Sequence, residues 1–213
     1  MRHKTKLIIF DLDGTLVDAY KAITKSINFA LKQLGYPKVS AHAVRMAVGF
    51  GNIGFIKAFV KDGEVGKTLR IFRPHHKISL IKYSHIRRGA KGMLKALKKR
   101  KCKLAVASNR PKKFSNILLR HLKLLDCFDI VRCAKNKNDF KPSPKLLLDV
   151  MRKLKVRKED AIYVGDMAID VEAGKRAGIK VIAITGGSSP KSALKQAKPF
   201  KIISRPSDLL KIV

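Results

Sequence analysis

The chain has 213 residues, 46% of them apolar, enough for the core of one domain or of a domain carrying an insert. Its 48 Lys and Arg against 15 Asp and Glu give a formal charge of +33. A field of that sign draws in nucleic acid, polyphosphate, anionic lipid and phosphorylated metabolites alike and does not choose among them. The three cysteines, Cys102, Cys127 and Cys133, contain no C-x-x-C pair and make an odd number. That argues against a disulfide framework or a structural zinc site and for core thiols in a reducing compartment.

The opening M-R-H-K-T-K-L-I-I-F-D offers too few apolar residues for the central region of a signal peptide. No later run approaches the roughly 20 apolar residues of a spanning helix, so a soluble, cytoplasmic protein without a membrane partner is expected. In chain order, a buried strand is predicted over 5–11 and helices over 18–34, 41–48, 54–61 and 66–83, with Pro74-His75-His76 expected to break the last. Then follow a helix over 89–100, a strand over 103–108, helices over 111–124 and 143–154, a strand over 161–166, a helix over 168–177 and a strand over 179–185. The strand runs are continuously apolar rather than alternating, which suits strands covered on both faces. The expected fold is α/β, a Rossmann-like, mostly parallel sheet core with helices on both faces. Residues 1–16 and 86–213 form that core, and 17–85 form a helical insert after the first strand.

Position makes the carboxylates informative. The first strand ends in Asp11-Leu12-Asp13-Gly14-Thr15, the second in Ser108-Asn109 and the third in Gly165-Asp166. Ligands of an open parallel sheet bind beyond the carboxyl ends of its strands, so these motifs converge on one edge. Two acids at i and i+2 can place one carboxylate for attack on phosphorus and the other for proton transfer. Such a cluster repels a phosphate unless a hard cation intervenes, which implies Mg2+, with Asp166 as a further ligand.

With those strand ends in place, the chain resembles the haloacid dehalogenase superfamily of aspartate-nucleophile phosphohydrolases. Its four motifs are matched by Asp11 to Thr15, by Ser108, by Lys141 in K-P-S-P, and by Gly165-Asp166 with Asp170. The resemblance implies Asp11 as nucleophile and metal ligand, and Asp13 as general acid and base that gives its backbone carbonyl to the metal. It implies Asp166 as metal ligand and Asp170 in support. Thr15, Ser108, Asn109 and Lys141 would contact the phosphoryl group. Asp13 separates phosphate chemistry from dehalogenation, because a halide leaves without a proton. The stretches D-L-D-G-T-L-V-D-A, V-R-M-A-V-G-F-G-N, S-N-R-P and F-K-P-S-P resemble the phosphoglycolate phosphatase group, in which a helical cap over the site selects substrate. Ile86-Arg87-Arg88-Gly89 departs from that group's usual Pro-Gly hinge.

Gly49-Phe50-Gly51-Asn52-Ile53-Gly54 formally fits G-x-G-x-x-G but follows a helical pattern, so it is read as a glycine-rich turn rather than a dinucleotide site. Arg45, Gly49 and Gly51 are candidates for substrate specificity. His3, His42, His75, His76, His85 and His121 show no metal-ligand pairing and are expected to be exposed or structural. Lys98-Lys99-Arg100-Lys101 has no interleaved aromatics to stack bases and is read as a solvated face at a helix end.

The expected activity is a phosphoric monoester hydrolase for a small phosphorylated anion, best phosphoglycolate. A phosphosugar mutase or inorganic pyrophosphatase on the same scaffold is the alternative, and a basic nucleic-acid-associated protein is less favoured. Nucleic acid would bind only by non-specific electrostatics, and monomer and homodimer both stay open.

Overall fold

A computed structural model describes residues 5–213; residues 1–4, and with them His3, lie outside the described residues. The chain begins with β1 (Leu7–Phe10) and the two-residue β2 (Val17–Asp18), followed by helices α1 (Tyr20–Gln33), α2 (Ala41–Ala47), α3 (Gly51–Lys57) and α4 (Val65–Tyr83). It returns through β3 (His85–Ile86) to α5 (Ala90–Lys99), β4 (Lys103–Ser108), α6 (Lys112–His121) and β5 (Ile130–Cys133). Then come α7 (Lys145–Leu154), β6 (Ala161–Gly165), α8 (Ala168–Arg176), β7 (Lys180–Ile184), α9 (Lys191–Gln196) and β8 (Lys201–Ile203).

Six of these strands form a wholly parallel sheet in the order β5-β4-β1-β6-β7-β8. The chain therefore winds outward from β1 in one direction, returns, and winds out in the other. The crevice at that reversal lies beyond β1, β4 and β6, the strands that carry the carboxylate and serine motifs. Alternate residues of β1 feed opposite faces. Ile8 and Phe10 join Leu104, Val106, Ile162 and Val164 on the face packed by α5 and α6. Leu7 and Ile9 join Ala105, Ala107, Tyr163 and Val181 on the face packed by α7 and α8. All four β1 side chains are fully buried, each stabilising the fold by roughly 1.5–3 kcal/mol.

The predicted strands and helices of the sheet region are present, with ends shifted by a few residues. Two edge strands, β5 and β8, carry no strong sequence signal because each is short, holds a charged residue and is covered on fewer sides. The helical segment differs from expectation in three respects. The helix expected over 54–61 is Gly51–Lys57, its start disguised by two glycines and an asparagine; burial of Phe55 and Ile56 holds it. Pro74 does not break α4, which runs unbroken through it. Pro74 is exposed, whereas Leu69, Phe72, His76 and Leu80 form a buried stripe on both sides of it, so packing outweighs the lost hydrogen bond. Finally, β2 and β3 pair antiparallel, Val17 with Ile86 and Asp18 with His85, where no strand was expected. This ribbon carries the chain into the helices and back.

Arg87 fixes the return. Its backbone N–H donates to the Leu16 carbonyl at 2.9 Å, and its guanidinium donates to the carbonyls of Gly14 and, at 2.8 Å, Thr185. Within the stretch that departs from that group's usual Pro-Gly hinge, Arg87 thus ties the return to the loops after β1 and β7. The basic run near residue 100 also has a structural contact, since Arg100 donates to the carbonyls of Leu210 and Val213. Cys102 and Cys133 are buried, as core thiols would be. Among the described residues no helix is long and apolar enough to cross a membrane.

Candidate active site

Asp11 leaves the end of β1, Ser108 ends β4 and Asp166 follows β6, so parallel pairing alone brings them to one edge. The loop after β1 turns at once: Leu12 and Leu16 are fully buried anchors, and Gly14 has φ +77°. A Cβ on Gly14 would lie 2.4 Å from an Asp166 carboxylate oxygen, so both backbone conformation and space require glycine there. Gly165 permits a second close approach, because a Cβ on it would lie 2.4 Å from the Asp170 side chain.

Lys141, from the loop before α7, sits at the centre. Its Nζ donates to Asp11 Oδ1 at 2.6 Å, to Asp170 Oδ1 at 2.7 Å and to the Tyr163 hydroxyl at 3.1 Å. Tyr163 in turn donates to Asp170 Oδ1 at 2.8 Å, while Asp170 Oδ2 accepts from the Met167 backbone N–H at 2.9 Å. Both Asp170 oxygens are thereby committed to positioning Lys141 and the start of α8. Asp166 accepts from the Thr15 hydroxyl at 3.0 Å and the Ser188 N–H at 2.7 Å. Thr15, expected at the phosphate, is 1% exposed and instead orients Asp166; its short hydroxyl reaches that carboxylate across the turn.

Asp11, Asp166 and Asp170 are buried and offer oxygens all within 4.8 Å of one another. Burial raises the Asp11 carboxyl to about 6, against the pull of Lys141. Burial, then the charges of Asp11 and Asp170, pushes Asp166 well above the usual carboxylate range. Burial alone would strip the Lys141 proton, but Asp11 and Asp170 outweigh it and hold the ammonium protonated far into the alkaline range. Three carboxylates around one ammonium leave surplus negative charge, and an all-oxygen donor set of this kind fits a hard divalent cation.

Asp11, Asp13, Ser108, Asn109 and Lys141 all line one small cavity of about 60 Å3. A larger groove, about 1300 Å3, runs on the outer side of α1 and touches none of the motif carboxylates, so size does not identify the site. Asn109 lines the cavity but spends its amide on backbone, donating to the Gly49 carbonyl at 2.7 Å and accepting from the Lys141 N–H at 2.9 Å. It joins the loop of Gly49 to that of Lys141 at the cavity. Gly49 and Gly51, two of the candidates for substrate specificity, line the same cavity, and the former is bound to the core through Asn109. Arg45 is elsewhere. Its guanidinium lies 4.2 Å from the Tyr20 ring centroid and donates to the carbonyls of Gly186 and Gly187, both at 3.2 Å, outside the cavity.

Three contributors had no separate assignment in the sequence. Arg110 grips Asp13 with both arms, Nε to Oδ2 and Nη2 to Oδ1, each at 2.7 Å. Its remaining nitrogen lies 3.1 Å from His76 Nε2 of α4. His76 is buried between the Phe72 ring, stacked at 4.7 Å, and Phe114, and its Nδ1 is 3.1 Å from the Ser26 hydroxyl. It fits the structural role expected of the histidines while standing at the cavity wall. Arg110 lay in plain view two residues after Ser108, yet basic residues are so common in this chain that one more carries no signal. Tyr163 was detectable as the lone polar side chain within the buried run A-I-Y-V-G.

A model of the haloacid dehalogenase-like hydrolase family matches residues 8–184. Among curated proteins, a phosphoglycolate phosphatase of Aquifex aeolicus is 34% identical over 209 residues, 98% of this chain and 96% of that protein. Phosphoglycolate phosphatase 1 of Pseudomonas aeruginosa is 30% identical over 214 residues, 96% of this chain and 78% of that protein. The crystal structure of a predicted phosphoglycolate phosphatase from Haemophilus somnus superposes with a TM-score of 0.92 at 28% identity, covering 97% of each chain.

Proposed function

Because the chain belongs to the haloacid dehalogenase-like hydrolase family, with phosphoglycolate phosphatases among its relatives, we propose that it is a Mg2+-dependent phosphatase of a small phosphorylated metabolite, phosphoglycolate being the favoured substrate. The observation that carries this reading is the pair of carboxylates two residues apart at the end of β1, lining one cavity with Ser108 and with Lys141 bound to the first. Lys141 holds Asp11 Oδ1, leaving Oδ2 for in-line attack on phosphorus. With its carboxyl near 6, Asp11 is mostly ionised at neutral pH.

In the first step the Asp11 oxygen bonds to phosphorus, the ester P–O bond breaks and the departing oxygen takes a proton from Asp13. In the second, Asp13 takes a proton from water, whose oxygen bonds to phosphorus as the bond from phosphorus to the Asp11 oxygen breaks, releasing phosphate and the free carboxylate. Ser108 and Lys141 hold the transferring phosphoryl oxygens, and Asp170 with Tyr163 keeps Lys141 in place. Asp11 and Asp166, with the Asp13 carbonyl, would hold Mg2+. That ion would offset the charge of the carboxylates and of the phosphate brought against them. The helices between β2 and β3 act as the cap that covers the cavity and shapes its substrate side, and residues 1–16 and 86–213 act as the catalytic core. The positive surface of the molecule steers the anionic substrate inward.

The test is phosphate release from a panel of phosphoglycolate, sugar phosphates and pyrophosphate, with Mg2+ and with a chelator, for the wild-type protein and for Asp11→Asn. Phosphoglycolate should be turned over only with Mg2+, and Asp11→Asn should lower kcat at least about 10,000-fold. Turnover that survives either the chelator or the substitution overturns the mechanism. Faster release from pyrophosphate, or isomer formation from a sugar phosphate, transfers the substrate to the alternative readings.

A further inference from the structure

On the substrate side of the cavity the helical segment supplies Ile23, Val48, Phe55, Phe72, Asn52 and His76, with the backbone of two glycines. None of these is charged, since burial holds the His76 ring neutral. The remaining charges come from the sheet edge. Asp11 and Lys141 are committed to each other, which leaves Arg110 and Asp13. A negative group on the leaving part of a substrate therefore has one cation to meet, the Arg110 guanidinium, whose side chain is 6% exposed.

That guanidinium is occupied, and its occupation bears on the chemistry. Both Asp13 oxygens accept from it in a two-armed pair, the geometry in which arginine recognises any carboxylate. While the pair stands, neither oxygen is turned toward a leaving group as a proton donor. His76 adds a third contact from α4, so Arg110 is held where the helical segment closes on the core.

We propose, on the basis of the phosphatase reading, that Arg110 recognises a carboxylate on the leaving group of the substrate, and that exchanging Asp13 for this carboxylate frees Asp13 for proton transfer. The exchange replaces one carboxylate by another on the same guanidinium, and the released Asp13 carboxylate takes up one proton from solvent, the proton it then gives to the departing oxygen. A phosphate ester with an acid on its leaving group then assembles its own catalyst, whereas a neutral ester of the same size leaves Asp13 engaged. Selectivity arises from release of the general acid as well as from affinity.

The experiment uses phosphoglycolate and ethyl phosphate, similar in size and differing in the carboxylate. Binding is measured by calorimetry in the full-length Asp11→Asn protein with Mg2+, and turnover in the protein with Asp11 intact, each with Arg110, Arg110→Lys and Arg110→Met. With Arg110, phosphoglycolate should bind about 100-fold more tightly than ethyl phosphate, and Arg110→Met should bring the two within about threefold of each other. Arg110→Lys should recover only part of the preference, because an ammonium cannot form the two-armed pair. In turnover, the kcat/KM ratio of the two esters should collapse in the same order. Equal loss for both ligands, an unchanged ratio, or no preference in the parent protein, including failure to bind either, overturns the proposal. Phosphate release that persists in Asp11→Asn refutes the phosphatase mechanism instead, and the binding ratio still decides the role of Arg110.

Discussion

The two walls of the cavity are built on opposite principles. The sheet edge is charged, buried and interlocked: Lys141 alone joins Asp11, Asp170 and Tyr163, and Thr15 and Ser188 lock Asp166. The wall from the helical segment is uncharged and mostly apolar, and joins the core through polar contacts such as Asn109 to the Gly49 carbonyl and Arg110 to His76 and through the packing of His76 on Phe114. One wall is over-determined and suits a reaction that needs fixed geometry. The other carries no part of that charged network, so its lining can change without disturbing the edge.

The comparison is tested most severely at Lys141. Lys141→Met leaves Asp11 and Asp170 buried without their counter-charge, and loss of one partner from a buried pair costs about 3–5 kcal/mol. Urea unfolding in metal-free buffer should show that loss, together with the disappearance of phosphate release. A change below about 1 kcal/mol, less than a tenfold shift in the folding equilibrium at ~1.4 kcal/mol per decade, would mean the edge is not interlocked. Asp170→Asn is milder, since it keeps the shape and a hydrogen-bond acceptor but weakens the hold on Lys141. A roughly 10- to 100-fold fall in kcat with little change in KM is expected, as for residues that orient a reacting group. A change confined to KM would place Asp170 at the substrate instead.

The sequence made the edge far more legible than the facing wall, for a physical reason. Strand ends in a parallel sheet are aligned by hydrogen bonding, so Asp11, Ser108 and Asp166 needed only correct strands to be brought together. Supporting roles depend on side-chain direction, which periodicity does not encode: Thr15 turned toward Asp166, and Arg45 turned away from the cavity toward Gly186 and Gly187. Arg110 was hidden by composition, and the break expected at Pro74 failed because a proline rule is local whereas the buried stripe of α4 is not.

His76 sharpens the contrast in a pH-dependent way. Burial, with Arg110 and His75 nearby, holds the ring neutral and its pKa well below 6.5. The unfolded chain then binds a proton that the folded one does not as pH falls below about 6.5, so stability rises with pH across that window and is lost on acidification. His76→Phe removes that contribution but leaves Arg110 Nη1 without its acceptor and takes one of the partners of Ser26, at a cost of about 1–3 kcal/mol near pH 7.5. The gap between the two proteins should narrow toward pH 5.5 in urea unfolding. A constant gap would show that His76 does not titrate differently in the folded chain.

The smallest effect is expected at Arg45, and it separates the two arginines. Arg45 was a candidate for substrate contact from sequence, but its contacts are the Tyr20 ring and the carbonyls of Gly186 and Gly187, none of them lining the cavity. Arg45→Ala should cost about 0.5–1 kcal/mol of stability, the worth of an accessible cation–π contact. Its kcat/KM for phosphoglycolate should stay within about twofold, because no transition-state contact is lost. A tenfold rise in KM would show that α2 moves Arg45 into the cavity during turnover. The helical wall would then carry a charge of its own, and recognition of an acidic leaving group would be shared across the cavity rather than vested in the sheet edge.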